Sequence, residues 1–185
     1  MFKADSKLVT SVVDAKHWIK SVVRAVPRLI IIHCAQTGET RTSAENTANW
    51  FATMPDSAKP TSAHYCVDAD SIVQCVPERH IAYHARGGDA NLCAIGIELA
   101  GMASQTREQW IDDYGLSMLA RCRMLLADIS LRNGIPLTMV AEHELRAHTA
   151  RGVATHAMIT RAFGVVGGHT DPGLSFPMDR LLSKS

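Results

Sequence analysis

Residues 29–32 form an unbroken run of apolar, mostly β-branched side chains, and this run constrains the fold more than any other segment. It follows Pro27 and leads directly into His33. Such runs are typical of a strand buried on both faces, as in a sheet covered by helices on both sides. Because open sheets of this kind place functional groups at the ends of their strands, we expect His33 to be a ligand.

Other segments have the periodicity of helices or of strands, which predicts an α/β fold. A helix over residues 43–53 is predicted to have Ser43 as its N-cap and to carry Trp50 and Phe51 inward. The pair Ala69-Asp70 is typical of a hairpin turn. Helices are predicted over residues 6–24, 43–53, 107–132 and 156–163, and strands over residues 29–33, 64–68, 72–76 and 94–100.

The composition is that of one globular domain, because 46% of the 185 residues are hydrophobic. We expect residues 1–28 to form an N-terminal helical segment that packs on a main domain at residues 29–180. The net charge of +1 gives no electrostatic reason to expect nucleic acid or an anionic membrane as a partner. No apolar run approaches the roughly 20 residues that are needed to cross a bilayer, so membrane insertion is not expected.

The five cysteines are odd in number and include no pair with C-x-x-C spacing. Most lie in apolar surroundings, where cysteine behaves as a small hydrophobic residue. We therefore expect reduced core residues at Cys34, Cys66, Cys75, Cys93 and Cys122.

The C-terminal part of the chain places two histidines before a carboxylate. His156 and His169 precede Asp171, which is followed by proline and glycine. Asp-Pro-Gly is also an ordinary turn sequence, but a turn alone does not account for the nearby imidazoles. Two histidines and one carboxylate suit zinc with an open fourth position, and His33 is a further candidate for this set.

Glu98 lies in the predicted strand over residues 94–100, which alternates between large and small side chains. An exposed carboxylate on a half-buried sheet would have no special role. Beside a metal, the same carboxylate could accept a proton from water and would have room for a substrate. Alternation predicts one face with Ile95, Ile97 and Leu99 and the other with Gly96, Glu98 and Ala100.

Six short motifs, taken in order, resemble the type-2 N-acetylmuramoyl-L-alanine amidases, a family of zinc enzymes that cut peptidoglycan. This resemblance implies one domain with a central mixed β-sheet flanked by helices and a zinc site in a cleft at one edge of the sheet. The motifs are Ile31-Ile32-His33, Ser62-Ala63-His64-Tyr65, Ala82-Tyr83-His84, Asn91 with Ala94-Ile95-Gly96-Ile97-Glu98-Leu99, Thr155-His156-Ala157 and Thr170-Asp171-Pro172-Gly173.

The resemblance implies a ligand set of His33, His156 and Asp171 for one Zn²⁺ per chain. In a competing interpretation, His169 is the second ligand and His156 lies behind it. A catalytic tyrosine of some family members is replaced here by Ala63, which leaves Glu98 as the catalytic acid–base.

Two further sets of roles follow from the same resemblance. His169 stands where many relatives have a lysine, and it is expected to stabilise the oxyanion as a catalytic residue. His64, His84 and Asn91 are expected to contact the substrate or to support the ligands, with structural hydrogen bonding as the alternative.

The implied activity is hydrolysis of the amide between N-acetylmuramic acid and L-alanine of the stem peptide. The motifs are most similar to amidase domains of endolysins from phages of actinobacteria. We therefore expect a monomer that stays in the host cytoplasm, without a signal peptide, until it is released to the bacterial cell wall. The alternatives are a peptidoglycan-binding module without catalysis and a wall-recycling amidase that acts on small anhydro-muropeptides.

Overall fold

The computed structural model describes residues 1–20, 26–86 and 88–183. The strands in these ranges are β1 (Ser11–Val12), β2 (Trp18–Ile19), β3 (Leu29–Cys34), β4 (Tyr65–Val67), β5 (Ile72–Gln74), β6 (Ile81–Ala82), β7 (Ala94–Leu99) and β8 (Gly152–Thr155). The helices are α1 (Ser43–Thr53), α2 (Ala90–Cys93), α3 (Arg107–Trp110), α4 (Asp113–Asn133), α5 (Glu142–Arg146), α6 (His156–Phe163) and α7 (Met178–Leu182).

Six strands form a mixed sheet in the order β1-β5-β4-β7-β3-β8. The β4–β5 pair is antiparallel, and the other four pairs are parallel. Strands β2 and β6 form a separate antiparallel pair. The chain is thus a single α/β domain with a mixed central sheet flanked by helices, as predicted.

The strand predicted over residues 29–33 is β3, and every residue of it is buried. Ile30 and Ile32 belong to the hydrophobic cluster formed with α4. Leu29 and Ile31 belong to a second cluster, formed with α5 and α6. Because helices cover both faces, both alternating sets of side chains must be apolar, which explains the unbroken run.

Alternation along β7 is confirmed up to the end of the strand. Ile95, Ile97 and Leu99 join the cluster on α4, which leaves Glu98 on the opposite face. The prediction that Ala100 shares the face of Glu98 is wrong, since Ala100 lies in the α4 cluster. The strand ends at Leu99 and Gly101 has a φ of 125°, so the alternation stops there.

Helix α1 has the predicted bounds, but two details differ from the prediction. The N-cap is Thr42, while the Ser43 hydroxyl donates a hydrogen bond to the carbonyl of Gly38 at 2.6 Å. Phe51 is buried as expected, whereas Trp50 is 53% exposed. Adjacent helical positions point about 100° apart, so Phe51 and Trp50 cannot both face the sheet.

The helix predicted over residues 107–132 is interrupted. Helix α3 ends at Trp110, and α4 begins at Asp113 after the N-cap Asp112, whose carboxylate accepts a hydrogen bond from the amide of Gly115 at 2.8 Å. The predicted stop is confirmed, because Gly134 caps α4 in the left-handed region with a φ of 65°. Helix α6 has the bounds predicted for the short helix, residues 156–163.

The predicted helix over residues 6–24 is wrong for residues 6–20, and residues 21–24 lie outside the described residues. Residues 6–20 contain β1 and β2 instead. Main-chain amides of Val13 and Ala15 bond to carbonyls of Gln74 and Cys75 at 3.1 and 3.0 Å. The open edge of β5 thus offers partners to a segment rich in valine, a residue that favours extended structure.

Glu78 joins the loop after β5 to the end of α4 through a buried network. Its carboxylate accepts hydrogen bonds from the Tyr65 hydroxyl at 2.6 Å, the Arg132 guanidinium at 2.8 Å and the Asn133 amide at 3.0 Å. The carboxylate is therefore compensated on several sides, as a buried charge requires.

No helix in the described ranges is both long enough and apolar enough to span a membrane.

Candidate metal centre and cleft

Two neighbouring parallel strands bring the first two predicted ligands together. Ile32 of β3 is in register with Thr155, the last residue of β8. His33 follows Ile32 on β3, and His156 follows Thr155 as the first residue of α6. The carboxyl ends of parallel strands meet at one edge of a sheet, so the two imidazoles lie side by side.

Asp171 reaches the same point from the loop after α6. Its carbonyl accepts a hydrogen bond from the amide of Ala157 at 2.9 Å, which ties this loop to the start of α6. Gly173 has a φ of 96°, and a methyl group there would collide with the carbonyl oxygen of Ala103. The backbone contact on the far side of the loop therefore requires glycine.

Three buried side chains converge on one point. Nδ1 of His33 lies 3.0 Å from Nδ1 of His156 and 3.3 Å from Oδ2 of Asp171. Nδ1 of His156 lies 3.2 Å from Oδ1 of Asp171. Ligand atoms at about 2.0–2.1 Å from a tetrahedral zinc ion are separated by roughly 3.3 Å, so the spacing of these atoms fits that metal.

The charge states of these groups also suit a cation. Burial lowers the pKa of His33 to about 4, which keeps the imidazole neutral at pH 7. Burial opposes ionisation of Asp171, but hydrogen bonds from His156 and His33 outweigh it and hold the pKa of this carboxyl well below its usual range. Neutral imidazoles and an ionised carboxylate are the forms that bind metal.

His169 lies beside this group and is much more exposed. Its Nδ1 is 3.5 Å from Oδ1 of Asp171, and 63% of its side chain is exposed. Its ring stacks on that of His156, with centroids 4.5 Å apart. Among the described residues, the set of ligand atoms that could hold a metal comes from His33, His156 and Asp171. The geometry thus favours His156 over His169 as the second ligand.

Glu98 lies next to His33, because the two are register partners on β7 and β3. It is partly exposed and lines the cleft described below. Burial of the carboxyl and then repulsion by Asp171 raise the pKa of Glu98 to about 8. A carboxyl with a raised pKa beside a candidate metal site can both accept and return a proton near neutral pH.

His84 and Asn91 lie at the cleft, whereas His64 lies beneath it. Nδ1 of His84 is 3.0 Å from Nε2 of His33. The side-chain carbonyl of Asn91 accepts hydrogen bonds from the amides of His84 and Ala85 at 3.1 and 2.8 Å.

Both ring nitrogens of the fully buried His64 have backbone partners. Nε2 donates to the carbonyl of His80 at 3.1 Å, and Nδ1 accepts from the amide of Gly96 at 3.0 Å. This arrangement favours the structural alternative for His64.

A cleft of about 520 Å³ contains the candidate ligands and Glu98. The sequence did not single out Lys59 or Arg86 in its lining, and it placed Trp50 in the core. The segment over residues 55–60 begins and ends with proline, which is typical of a loop, and this pattern is a signal that could have pointed to Lys59. Trp50 could have been recognised by its position next to Phe51, since only one of the two can face inward.

Cys34 adjoins the cleft but is buried, and burial raises the pKa of its thiol to about 12. It is therefore a poor ligand at neutral pH in this environment. All five cysteines are buried, as predicted.

A family model described as N-acetylmuramoyl-L-alanine amidase matches residues 23–174 of the chain. The search of curated proteins found no match to the chain.

Several solved structures share the fold. A selenomethionine derivative of AmpD has a TM-score of 0.66 and 20% identity, with 95% of this chain and 93% of that chain covered. A mutant endolysin from Bacillus subtilis has a TM-score of 0.55 and 22% identity, with 82% and 86% covered. The Staphylococcus aureus hydrolase AmiA, in complex with its ligand, has a TM-score of 0.57 and 16% identity, with 84% and 71% covered.

Proposed function

Since the chain belongs to the N-acetylmuramoyl-L-alanine amidase family, we propose that it is a zinc-dependent hydrolase of peptidoglycan. The bond that it cuts is the amide between the lactyl group of N-acetylmuramic acid and L-alanine of the stem peptide. The observation that carries this proposal is the convergence of two imidazole nitrogens and one carboxylate at 3.0–3.3 Å beside Glu98.

His33, His156 and Asp171 are the proposed zinc ligands. When bound, zinc would polarise the scissile carbonyl and lower the pKa of water. The three side chains supply two imidazole nitrogens and one carboxylate, and they come from β3, from the start of α6 and from the loop after it. Their burial excludes competing water from the ligand side of the site.

Glu98 is the proposed acid–base. It accepts a proton from the attacking water and returns it to the amine of L-alanine as the amide bond breaks. The raised pKa of Glu98 supports both steps, since the carboxyl holds a proton at a pH where an ordinary glutamate would not.

His169 is the proposed second catalytic residue. Its stacked and partly exposed ring lies at the cleft, next to the ligand group. A ring N–H aimed at the former carbonyl oxygen would stabilise negative charge that develops there. His84 and Asn91 are assigned to the support of the ligands rather than to direct contact with the reacting bond.

The deciding experiment measures soluble peptide with a free N-terminal L-alanine released from cell walls. Wild-type protein with zinc should release it, chelation should stop the release, and added zinc should restore it. Glu98→Gln keeps the shape of the side chain and should lose at least about 10²-fold in kcat while retaining the metal. Wall binding without release of any L-alanine amine would show a binding module and overturn the proposal.

We further propose the role of a phage endolysin, because residues 33–39, 155–157 and 169–173 resemble the amidase domains of such enzymes. This role predicts that intact walls are cleaved faster than small anhydro-muropeptides at equal concentrations of stem peptide. The opposite preference would identify a wall-recycling amidase.

A further inference from the structure

The two ring nitrogens of His33 face different partners. Nδ1 faces the candidate ligands His156 and Asp171. Nε2 lies 3.0 Å from Nδ1 of His84, whose ring meets that of His33 edge-on, with planes 88° apart and centroids 5.1 Å apart. A neutral imidazole carries one proton, so the proton shared with His84 determines whether Nδ1 of His33 has a lone pair for a metal.

The ring of His84 is held in place by the surrounding strands. A methyl group on Gly96 would lie 2.5 Å from Cγ of His84, so the ring packs directly over the backbone of β7. His64 meets the same ring at a centroid distance of 5.7 Å. Asn91 fixes the main chain on either side of the His84 peptide unit by accepting two amide hydrogen bonds.

We propose that His84 is a positioning residue that sets the tautomer of His33. With zinc bound, Nδ1 of His84 would accept the proton on Nε2 of His33, which leaves the lone pair of His33 Nδ1 for the metal. The inference rests on the proposed zinc site and deepens it. If the proton lay on Nδ1 of His84 instead, Nε2 of His33 would accept it, and the proton of His33 would occupy the nitrogen that must bind zinc.

Gly96 leaves the space that the ring of His84 occupies beside His33. Any side chain at position 96 would displace the ring of His84, because the contact at 2.5 Å is with the rigid part of the ring. A single added methyl group on β7 should therefore weaken the metal site without changing a ligand.

The test is the zinc dissociation constant of the full chain, measured by competition with a chelator, for four variants and the wild type. His84→Leu removes the acceptor but keeps bulk, and His84→Asn keeps an acceptor oxygen near the place of Nδ1. Gly96→Ala displaces the ring. The matched control is His80→Asn, which alters another buried histidine, one that stacks on Trp18.

We expect zinc binding to weaken about 10- to 100-fold in His84→Leu and Gly96→Ala, which is the usual effect of losing a partner of a ligating histidine. His84→Asn should stay within about threefold of the wild type, and so should His80→Asn. Equal affinities for His84→Leu and the wild type would overturn the proposal. Zinc binding that fails in the wild type would instead overturn the proposed metal site.

A second readout does not depend on whether the variants fold. The ¹⁵N chemical shifts of His33 and His84 in zinc-loaded wild-type protein report which ring nitrogens carry protons. We expect Nε2 of His33 to be protonated and Nδ1 of His84 to be unprotonated. A proton on Nδ1 of His84 would overturn its positioning role, whatever the variants show.

Discussion

The imidazole rings of His156 and His169 are stacked, with centroids 4.5 Å apart and planes 12° apart. Despite this contact, their surroundings differ, because His156 is 4% exposed whereas the side chain of His169 is 63% exposed. The stacked pair therefore separates into a proposed ligand and a proposed catalytic residue, and removal of each ring should have a different effect.

His156→Ala should reduce bound zinc to background, since it removes one of the three buried side chains proposed as ligands. His169→Ala should keep zinc and lower kcat by about 10²- to 10³-fold, the usual effect of losing an oxyanion donor. Elemental analysis after dialysis gives the zinc content of both variants. Loss of zinc from His169→Ala with retention in His156→Ala would reverse the ligand assignment.

The stability of the zinc-free protein should depend on pH through Glu98. Its folded pKa, about 8, lies above the ordinary value of 4.5, so the folded state binds the proton more tightly than the unfolded state. The free-energy cost of burying this carboxyl is therefore lowest below about pH 4.5, and it grows as the pH rises from 4.5 to about 8.

Glu98→Gln has no ionisable carboxyl at this position. The free energy of unfolding of this variant should therefore rise relative to that of the wild type as the pH increases from about 4.5 to about 8. We expect a gain of at least about 1 kcal/mol, or roughly 2–4 °C in Tm. Thermal unfolding in chelator at several pH values measures this. A difference in Tm that stays constant with pH would contradict the burial of the carboxylate.

Glu78→Ala should destabilise the protein by about 1–3 kcal/mol, because it removes the buried acceptor of the Tyr65 hydroxyl and of the Arg132 guanidinium, which keeps its pair with Asp128. Asp179→Ala is the matched control, since Asp179 forms an ion pair with Arg107 in which both side chains are largely exposed. That variant should cost less than about 1 kcal/mol. Denaturant unfolding compares the two, and similar costs would show that the Glu78 network contributes little.

Asp112→Ala should destabilise the protein by about 0.5–2 kcal/mol, because its carboxylate caps the amide of Gly115 at the start of α4. Asp113→Ala removes a charge from the same helical turn but leaves the cap intact, and it should cost about 0.3–1 kcal/mol. Chemical unfolding of both variants separates the cap from the helix dipole. An equal loss in both would assign the effect to charge alone.

The sequence predicted best where one pattern has one structural solution. The run of apolar side chains at residues 29–32 favours burial on both faces of a sheet, and it forms the buried strand β3. Residues 156–163 have helical spacing and a threonine cap, and they form α6. Helix α4 is capped by Gly134 in the left-handed region, close to residue 132, where the helix is predicted to end.

Sequence reasoning failed where a distant partner decides the outcome. The valines between residues 9 and 13 fit a helix, but the free edge of β5 holds this segment in extended form through the amides of Val13 and Ala15. Trp50 fits the apolar stripe of α1, yet Phe51 occupies the inward position. The spacing of apolar residues within a segment does not reveal the free edge of β5 or the competition between Trp50 and Phe51.

In the candidate site, too, some features could be predicted from local sequence and others depend on distant strands. His33 could be proposed from its place at a strand end, whereas the preference for His156 over His169 rested on the resemblance and gains support from the register of β3 and β8. The burial of His64 beneath the cleft also depends on pairing, since its Nδ1 bonds to the amide of Gly96 on another strand.

The proposed ligands His33 and His156 are separated by 123 positions in the chain, and Asp171 comes later still. A ribosome makes the chain from its N-terminus, so β3 emerges long before its neighbour β8. Until β8 and α6 are made, this point has the imidazole of His33 and neither the second nitrogen nor the carboxylate. The proposed metal centre can therefore be completed only after Asp171 has been added, later than the strands that carry Glu98 and His33.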